Sequence, residues 1–137
     1  MRILGLDFGS KTVGVAITDP LGLTAQGLEV IRRDRPNKLR KTIARIEEII
    51  GEYEVGKIVM GMPLNMDGTE GERAELTKEF AEKLKKRCEL DIEFQDERLT
   101  TVEAYEIMEQ TGTKNKEDIV DEVAAVVILE DYMAANK

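Results

Sequence analysis

The sequence predicts an α/β domain built on a mixed five-stranded sheet with helices on its faces. Three observations point there: three short strand-like runs separated by turn signals fill the first thirty residues, two later apolar runs each follow an amphipathic helical stretch, and the chain closes on a long helical segment. A chain of 137 residues can bury about two-thirds of its unfolded surface around one core. A single domain over residues 1–137 is therefore expected.

The elements follow in order. RILGLDF and TVGVAITD are rich in branched apolar residues, and Gly9-Ser10-Lys11 between them suits a hairpin. Asp19-Pro20-Leu21-Gly22 is a second turn signal, leading into LTAQGLEVIRR, so the first three strands form an antiparallel meander. PNKLRKTIARIEEIIGEYE places Leu39, Ile43, Ile46, Ile49 and Ile50 at helical spacing, with Pro36 in the first turn. KIVMGMP is a continuous apolar run, the pattern of a strand buried on both faces. After the glycine-bearing loop NMDGTEG, a helix aligns Ala74, Leu76, Thr77, Phe80, Ala81 and Leu84, and DIEFQ reads as a short fifth strand. Thr100 and Glu103 form a capping-box pattern that opens a short helix through Met108, TGTKNK is a loop, and EDIVDEVAAVVILEDYMAANK is the final helix. A meander followed by right-handed βα crossovers gives a mixed sheet covered on its faces.

Composition removes whole mechanisms. The chain has no histidine and one cysteine, Cys88, so the Ser-His-Asp triad, the familiar zinc sites and an intrachain disulfide cannot be built. Cys88, in KLKKRCEL, reads as a small apolar helix residue. No charged n-region and apolar stretch open the chain, and no apolar run approaches the roughly 20 residues needed to cross a bilayer. The expectation is a soluble protein of the reducing cytoplasm, with no membrane partner. Net charge is −8, yet Arg32 to Arg45 holds seven basic residues against the single acid Asp34, leaving −14 on the remaining 13 basic and 27 acidic residues. That segregation suits either a phosphate-facing patch on an acidic body or a solvated helix face.

Two acids stand in apolar contexts. Strand alternation puts Ile3, Gly5 and Asp7 on one face and Leu4, Leu6 and Phe8 on the other, so Asp7 is a charge within an apolar strand. Buried carboxylates are costly unless hydrogen-bonded or paired with a cation, and the ordinary alternative for Asp7 is an Asx cap of the following turn. Asp121 heads the stripe Asp121, Ala124, Ala125, Ile128 and Tyr132, where the competing explanation is the helix N-terminal dipole. Asp96-Glu97 follows the DIEFQ strand, and if that strand is parallel to the first, its acids reach the sheet edge that carries Asp7. Two negative charges about 4 Å apart repel by roughly 4 kcal/mol at an effective dielectric of 20, so convergence of the three implies a bound cation. With oxygen donors only, that cation is Mg²⁺ or Mn²⁺, which points to metal-assisted phosphodiester hydrolysis. Gly9 and Ser10 would let a phosphate backbone approach beside Asp7.

The segments GLDFGSKTVGVAITD, GMPLNMDGTEG, DERLTT and VDEVAAVVILEDYM resemble, in order, the signature blocks of the YqgF family, also called RuvX. Its members are described as pre-16S rRNA nucleases or Holliday junction resolvases. The resemblance covers essentially the whole chain. It implies a ribonuclease H-like fold and an acidic triad of Asp7, Glu97 and Asp121 that catalyses and holds the metal, with Asp96 as an adjacent support. It also makes Gly9, Ser10, Lys11, the GMPLNMDGTEG loop and Arg98 substrate-facing, with Lys114 and Lys116 as further phosphate contacts. Many ribonuclease H-like enzymes place the second acid after the fourth strand, whereas here that strand ends in Gly61-Met62-Pro63. Many relatives carry arginine after the lysine of the first block, where this chain has Thr12.

The function so implied is trimming of the 5′ end of pre-16S rRNA during ribosome biogenesis, with structured RNA and pre-ribosomal particles as partners. A Holliday junction resolvase acting on branched DNA in recombination or repair, and a non-catalytic nucleic-acid-binding module of the same fold, are the alternatives. A resolvase working symmetrically would dimerise, whereas a trimming enzyme works as a monomer or weak homodimer. The sugar-kinase and actin-like ATPases share an Asp-Gly hairpin, but they clamp a nucleotide between two such domains, and this chain has length for one.

Overall fold

The computed structural model describes residues 1–9, 11–35, 38–64, 67–96 and 116–135, with 116–121 described by backbone only. Strand β1 (Arg2–Phe8) turns back into β2 (Thr12–Thr18) and then β3 (Ala25–Arg32). Helix α1 (Arg40–Tyr53), strand β4 (Val55–Met62), helix α2 (Glu72–Cys88) and strand β5 (Ile92–Asp96) follow, and α3 (Lys116–Ala135) is the final helix. The expected helix over 100–108 and residues 111–115 of the expected TGTKNK loop lie outside the described residues, while Lys116, expected in that loop, opens the final helix.

The sheet order is β3-β2-β1-β4-β5. β1 is antiparallel to β2, with Asp7 opposite Gly14 and Phe8 opposite Val13. It is parallel to β4, with Leu6 opposite Met60, and β4 is parallel to β5, with Met62 opposite Asp96. The meander and the two parallel additions match the architecture expected from the sequence. Because β1, β4 and β5 all run the same way, their C-terminal ends emerge on one edge of the sheet.

Alternation along β1 divides the core into two layers. Leu4, Leu6 and Phe8 pack with Ile43, Ile46 and Ile49 of α1 and with Phe80, Ala81 and Leu84 of α2. On the opposite face Ala16 of β2 and Val59 of β4 pack with Ala125, Ile128, Leu129 and Tyr132 of α3, and Ile3 joins them. The apolar run of β4 feeds both layers, Ile58 and Met60 into one and Val59 into the other, as expected for a strand buried on both sides. Among the described residues no helix is long and apolar enough to cross a membrane.

Gly5 sets how closely α3 approaches. A Cβ there would lie 2.5 Å from Leu129 Cγ and 3.1 Å from the Ala125 carbonyl oxygen, so only glycine admits the helix at this depth. At the other end of the helix Lys57 Nζ donates to the Tyr132 hydroxyl at 3.0 Å, and Lys57 is opposite Ile3 in the sheet. Helix α3 therefore runs antiparallel to β1. Its C-terminal half lies over the start of β1, and its N-terminal half leads toward the end that carries Asp7.

Two details differ from expectation. α1 begins at Arg40 with Leu39 as its N-cap, so Lys38 and Leu39, expected within the helix, precede it; Pro36, expected in its first turn, lies outside the described residues. The Lys38 N–H instead donates to the Arg35 carbonyl at 3.1 Å, in a separate turn ahead of the helix. Leu76 is 43% exposed, because the buried face of α2 is already filled by Ala74, Thr77, Phe80, Ala81 and Leu84. Cys88, the last residue of α2, is half-buried against the α1/α2 layer, as its apolar reading required.

Candidate active site

Asp7 is half-buried at the penultimate position of β1. Alternation places it with Ile3 and Gly5, on the face that α3 covers. Gly14 is directly opposite it on β2, and on β4 the register that sets Leu6 opposite Met60 runs on to Gly61.

The turn after β1 is closed by the Gly9 N–H, which donates to the Thr12 carbonyl at 2.7 Å. A Cβ on Gly9 would sit 3.0 Å from that same oxygen and 3.2 Å from Thr12 Oγ1, so the missing side chain serves the turn itself. Lys11 is exposed in this turn, and its carbonyl accepts from the Arg33 N–H at 2.9 Å.

Two arginines that the sequence did not single out hold the same strand end. Arg73 of α2 donates to the Phe8 carbonyl at 2.9 Å, and Arg33, just past β3, donates to the Gly9 carbonyl. Arg33 lies over the Phe8 ring, 4.7 Å from its centroid, and Phe8 stacks on Phe80 at 4.3 Å and 13°. Burial, and then the charge of Arg73, depress the Arg33 guanidinium below its ordinary value, although an arginine so far above neutrality stays protonated. Positive charge is thus fixed beside the end of β1. Arg33 stood in the basic run but without a role. Nothing local marks Arg73, because its partner is 65 residues away in the chain.

The second acidic contribution enters from β5. Met62 opposite Asp96 puts the end of β5 on the edge that carries Asp7, two strands across, or about 10 Å at ordinary strand spacing. Strand β4 between them ends without an acid. Glu97, the next residue, lies outside the described residues, as do Ser10, Arg98 and Lys114. Lys116 and Asp121 are the first and sixth residues of α3. Residue 121 is one turn before Ala125, whose carbonyl lies against Gly5, so the backbone of the helix leads it toward the Asp7 end of the sheet. The loop between β4 and α2 rises from the same edge, and its described part is an ordered turn in which Asp67 Oδ1 accepts from the Thr69 N–H at 2.9 Å and its hydroxyl at 2.6 Å.

Among the described residues no three His, Cys, Asp or Glu side chains come together as a metal site. The described acids at this edge, Asp7 at the end of β1 and Asp96 at the end of β5, offer oxygen donors only. Hard divalent ions take such donors.

The family follows from the whole chain. A model described as RuvX, Holliday junction resolvase, matches residues 1–135. This chain belongs to the RuvX family. A RuvX relative from Agathobacter rectalis, named "Putative pre-16S rRNA nuclease", is 58% identical over 135 residues, covering 97% of this chain and 94% of the relative. A protein of the same name from Lachnospira eligens is 55% identical over 139 residues, covering 100% and 99%. Among solved structures, RuvC of T. thermophilus in complex with a Holliday junction substrate superposes with a TM-score of 0.64 at 13% identity, covering 99% of this chain and 96% of that one. The fowlpox virus Holliday junction resolvase gives 0.60 at 15% identity with 100% of both chains covered. At such low identity these likenesses establish the architecture, and the RuvX chain has the ribonuclease H-like fold of those resolvases.

Proposed function

We propose that this RuvX chain is an endonuclease that hydrolyses phosphodiester bonds in precursor 16S rRNA, with Asp7, Glu97 and Asp121 as its catalytic carboxylates. One observation carries the reading: Asp7 occupies the C-terminal end of the central strand, on the edge where the parallel strand β5 ends in Asp96, and on the face covered by α3. Three acids on separate elements converge at such an edge only at an electrostatic cost that a cation offsets. Asp7, Glu97 and Asp121 would hold Mg²⁺ or Mn²⁺, which would supply a more acidic water and charge neutralisation at the phosphate. Arg33 and Arg73 fix the carbonyls of Gly9 and Phe8, so the carboxylate beside them keeps its place while the substrate enters. Exposed Lys11 stands where the backbone of a bound strand would pass and can neutralise one of its phosphates.

The names borne by relatives at 58% and 55% identity favour precursor rRNA. The family description favours a second reading, cleavage of branched DNA. Incubating the protein with a precursor rRNA fragment and with a synthetic four-way junction, each with Mn²⁺, separates them: cutting of the rRNA is expected, and cutting of the junction alone would overturn the preference. Asp7→Asn is expected to lower cleavage by at least about a hundredfold with the thermal unfolding curve unmoved. A variant that cleaves as fast as its parent removes Asp7 from the chemistry.

A further inference from the structure

The corner between β3 and α1 opens into a cleft of about 470 Å³ whose lining includes Arg32, Arg33, Lys38, Arg40 and Lys41 against the single acid Asp34. Lys38, Arg40 and Lys41 are exposed. Several cations elsewhere on the described surface meet acids. Arg45 meets Glu29, Glu48 and Glu52, Lys57 meets Glu93, Lys78 meets Glu70, and Arg87 meets Glu47. The helix that floors the cleft adds to its potential, since the first turn of α1 holds no acid and places Arg40 and Lys41 at the positive end of the helix dipole. Cations there disfavour the helix unless an anion is close.

The cleft is joined to the end of β1. Arg33 lines it, and the same residue donates its backbone N–H to the Lys11 carbonyl and its guanidinium to the Gly9 carbonyl. Cleft and Asp7 therefore lie on the same edge of the sheet, separated by the 9–12 turn. On a chain of net charge −8, a polyanion is repelled from most of the surface and admitted where cations are segregated.

We propose that this cleft is a second phosphate subsite, which grips the backbone of a nucleic-acid strand a few nucleotides from the bond presented at Asp7. It rests on the nuclease reading for the identity of the polymer. Its contacts are to phosphates, so it sets affinity and register without reading bases. RNA and DNA duplexes of one sequence are held there comparably.

Fluorescence anisotropy with a labelled 20-base-pair RNA duplex, in EDTA so that no turnover occurs, tests the subsite separately from the chemistry. The triple variant Lys38→Ala, Arg40→Ala, Lys41→Ala is compared with Lys83→Ala, Lys85→Ala, Lys86→Ala, which removes the same charge from the exposed face of α2. The cleft variant is expected to bind at least about tenfold more weakly at roughly 0.1 M salt, and its log–log salt slope is expected to fall by about 2 to 3. The α2 variant should lose less than about threefold. Equal losses from the two variants, or no loss from the cleft variant, would overturn the proposal, as would displacement of the labelled RNA by inorganic tripolyphosphate as readily as by unlabelled RNA at equal phosphate concentration. Should the cleft triple fail to fold, Lys38→Glu, in the loop before α1, is compared with Lys83→Glu, and the same criterion applies. Failure in EDTA with cleavage by the parent intact refutes the subsite alone, whereas an active Asp7→Asn refutes the catalytic reading alone.

Discussion

Arg33 lies over the Phe8 ring, with 4.7 Å from guanidinium carbon to centroid, and the same guanidinium donates to the carbonyl of Gly9. One residue thus grips the strand end through its side chain and its backbone together. Arg33→Met removes a charged hydrogen bond and a cation–π contact, and is expected to cost about 1–3 kcal/mol in urea unfolding. Single-turnover cleavage at saturating enzyme should fall about tenfold, since misplacement of Asp7, the proposed catalytic carboxylate, is costly. Arg33→Lys keeps the charge but not the planar fork, so it should recover less than half of either loss. A methionine variant as stable and as fast as its parent would remove Arg33 from this role.

Gly5→Ala drives a methyl group into Leu129 and toward the Ala125 carbonyl. Overpacking of this kind is expected to destabilise by about 1–3 kcal/mol. Leu129→Ala relieves part of the clash, so the two changes should couple in a double-mutant cycle by more than about 0.5 kcal/mol. Simple additivity would mean that α3 is not held against the sheet at this point.

Tyr132→Phe deletes the acceptor of the Lys57 hydrogen bond at 3.0 Å. The cost is expected to be about 0.5–1.5 kcal/mol in denaturant unfolding. Lys57 is opposite Ile3, four residues of β1 or about 13 Å from Asp7. Cleavage by the folded variant should therefore be unchanged, and a large loss of rate would show that the two ends of α3 are coupled.

Burial raises the Asp131 carboxyl above its ordinary value, so the folded state holds its proton more tightly than the unfolded chain. Its contribution favours folding below the unfolded value and is lost as pH rises through the folded one. At neutral pH the carboxylate is a liability, aggravated by its place in the last turns of α3. Asp131→Asn is expected to raise the melting temperature by about a degree at roughly pH 7, the partial exposure of the group keeping the gain small. The gain should vanish near about pH 3. A constant difference across that range would show that protonation plays no part.

Much of this molecule could be read from residue order alone. Alternation in RILGLDF assigned both faces of β1, the uninterrupted apolar run of β4 announced burial on both sides, and the spacing of α1 named the residues that now fill its core face. Asp7 stood out because a charge within an apolar strand needs a local reason, and the four ordered blocks supplied the family. These signals are periodic or contiguous, so sequence carries them directly. The start of α1 and the exposure of Leu76 escaped, because a competing turn and an already filled face decided them. The clamp of Arg33 and Arg73 on consecutive carbonyls escaped for a deeper reason: each guanidinium finds a backbone acceptor supplied by another element, and a carbonyl has no residue identity for a sequence to reveal. The place of Asp7 near the end of β1 was legible from the chain, while the order β3-β2-β1-β4-β5, which brings the end of β5 to the edge of Asp7, is decided only when the strands pair.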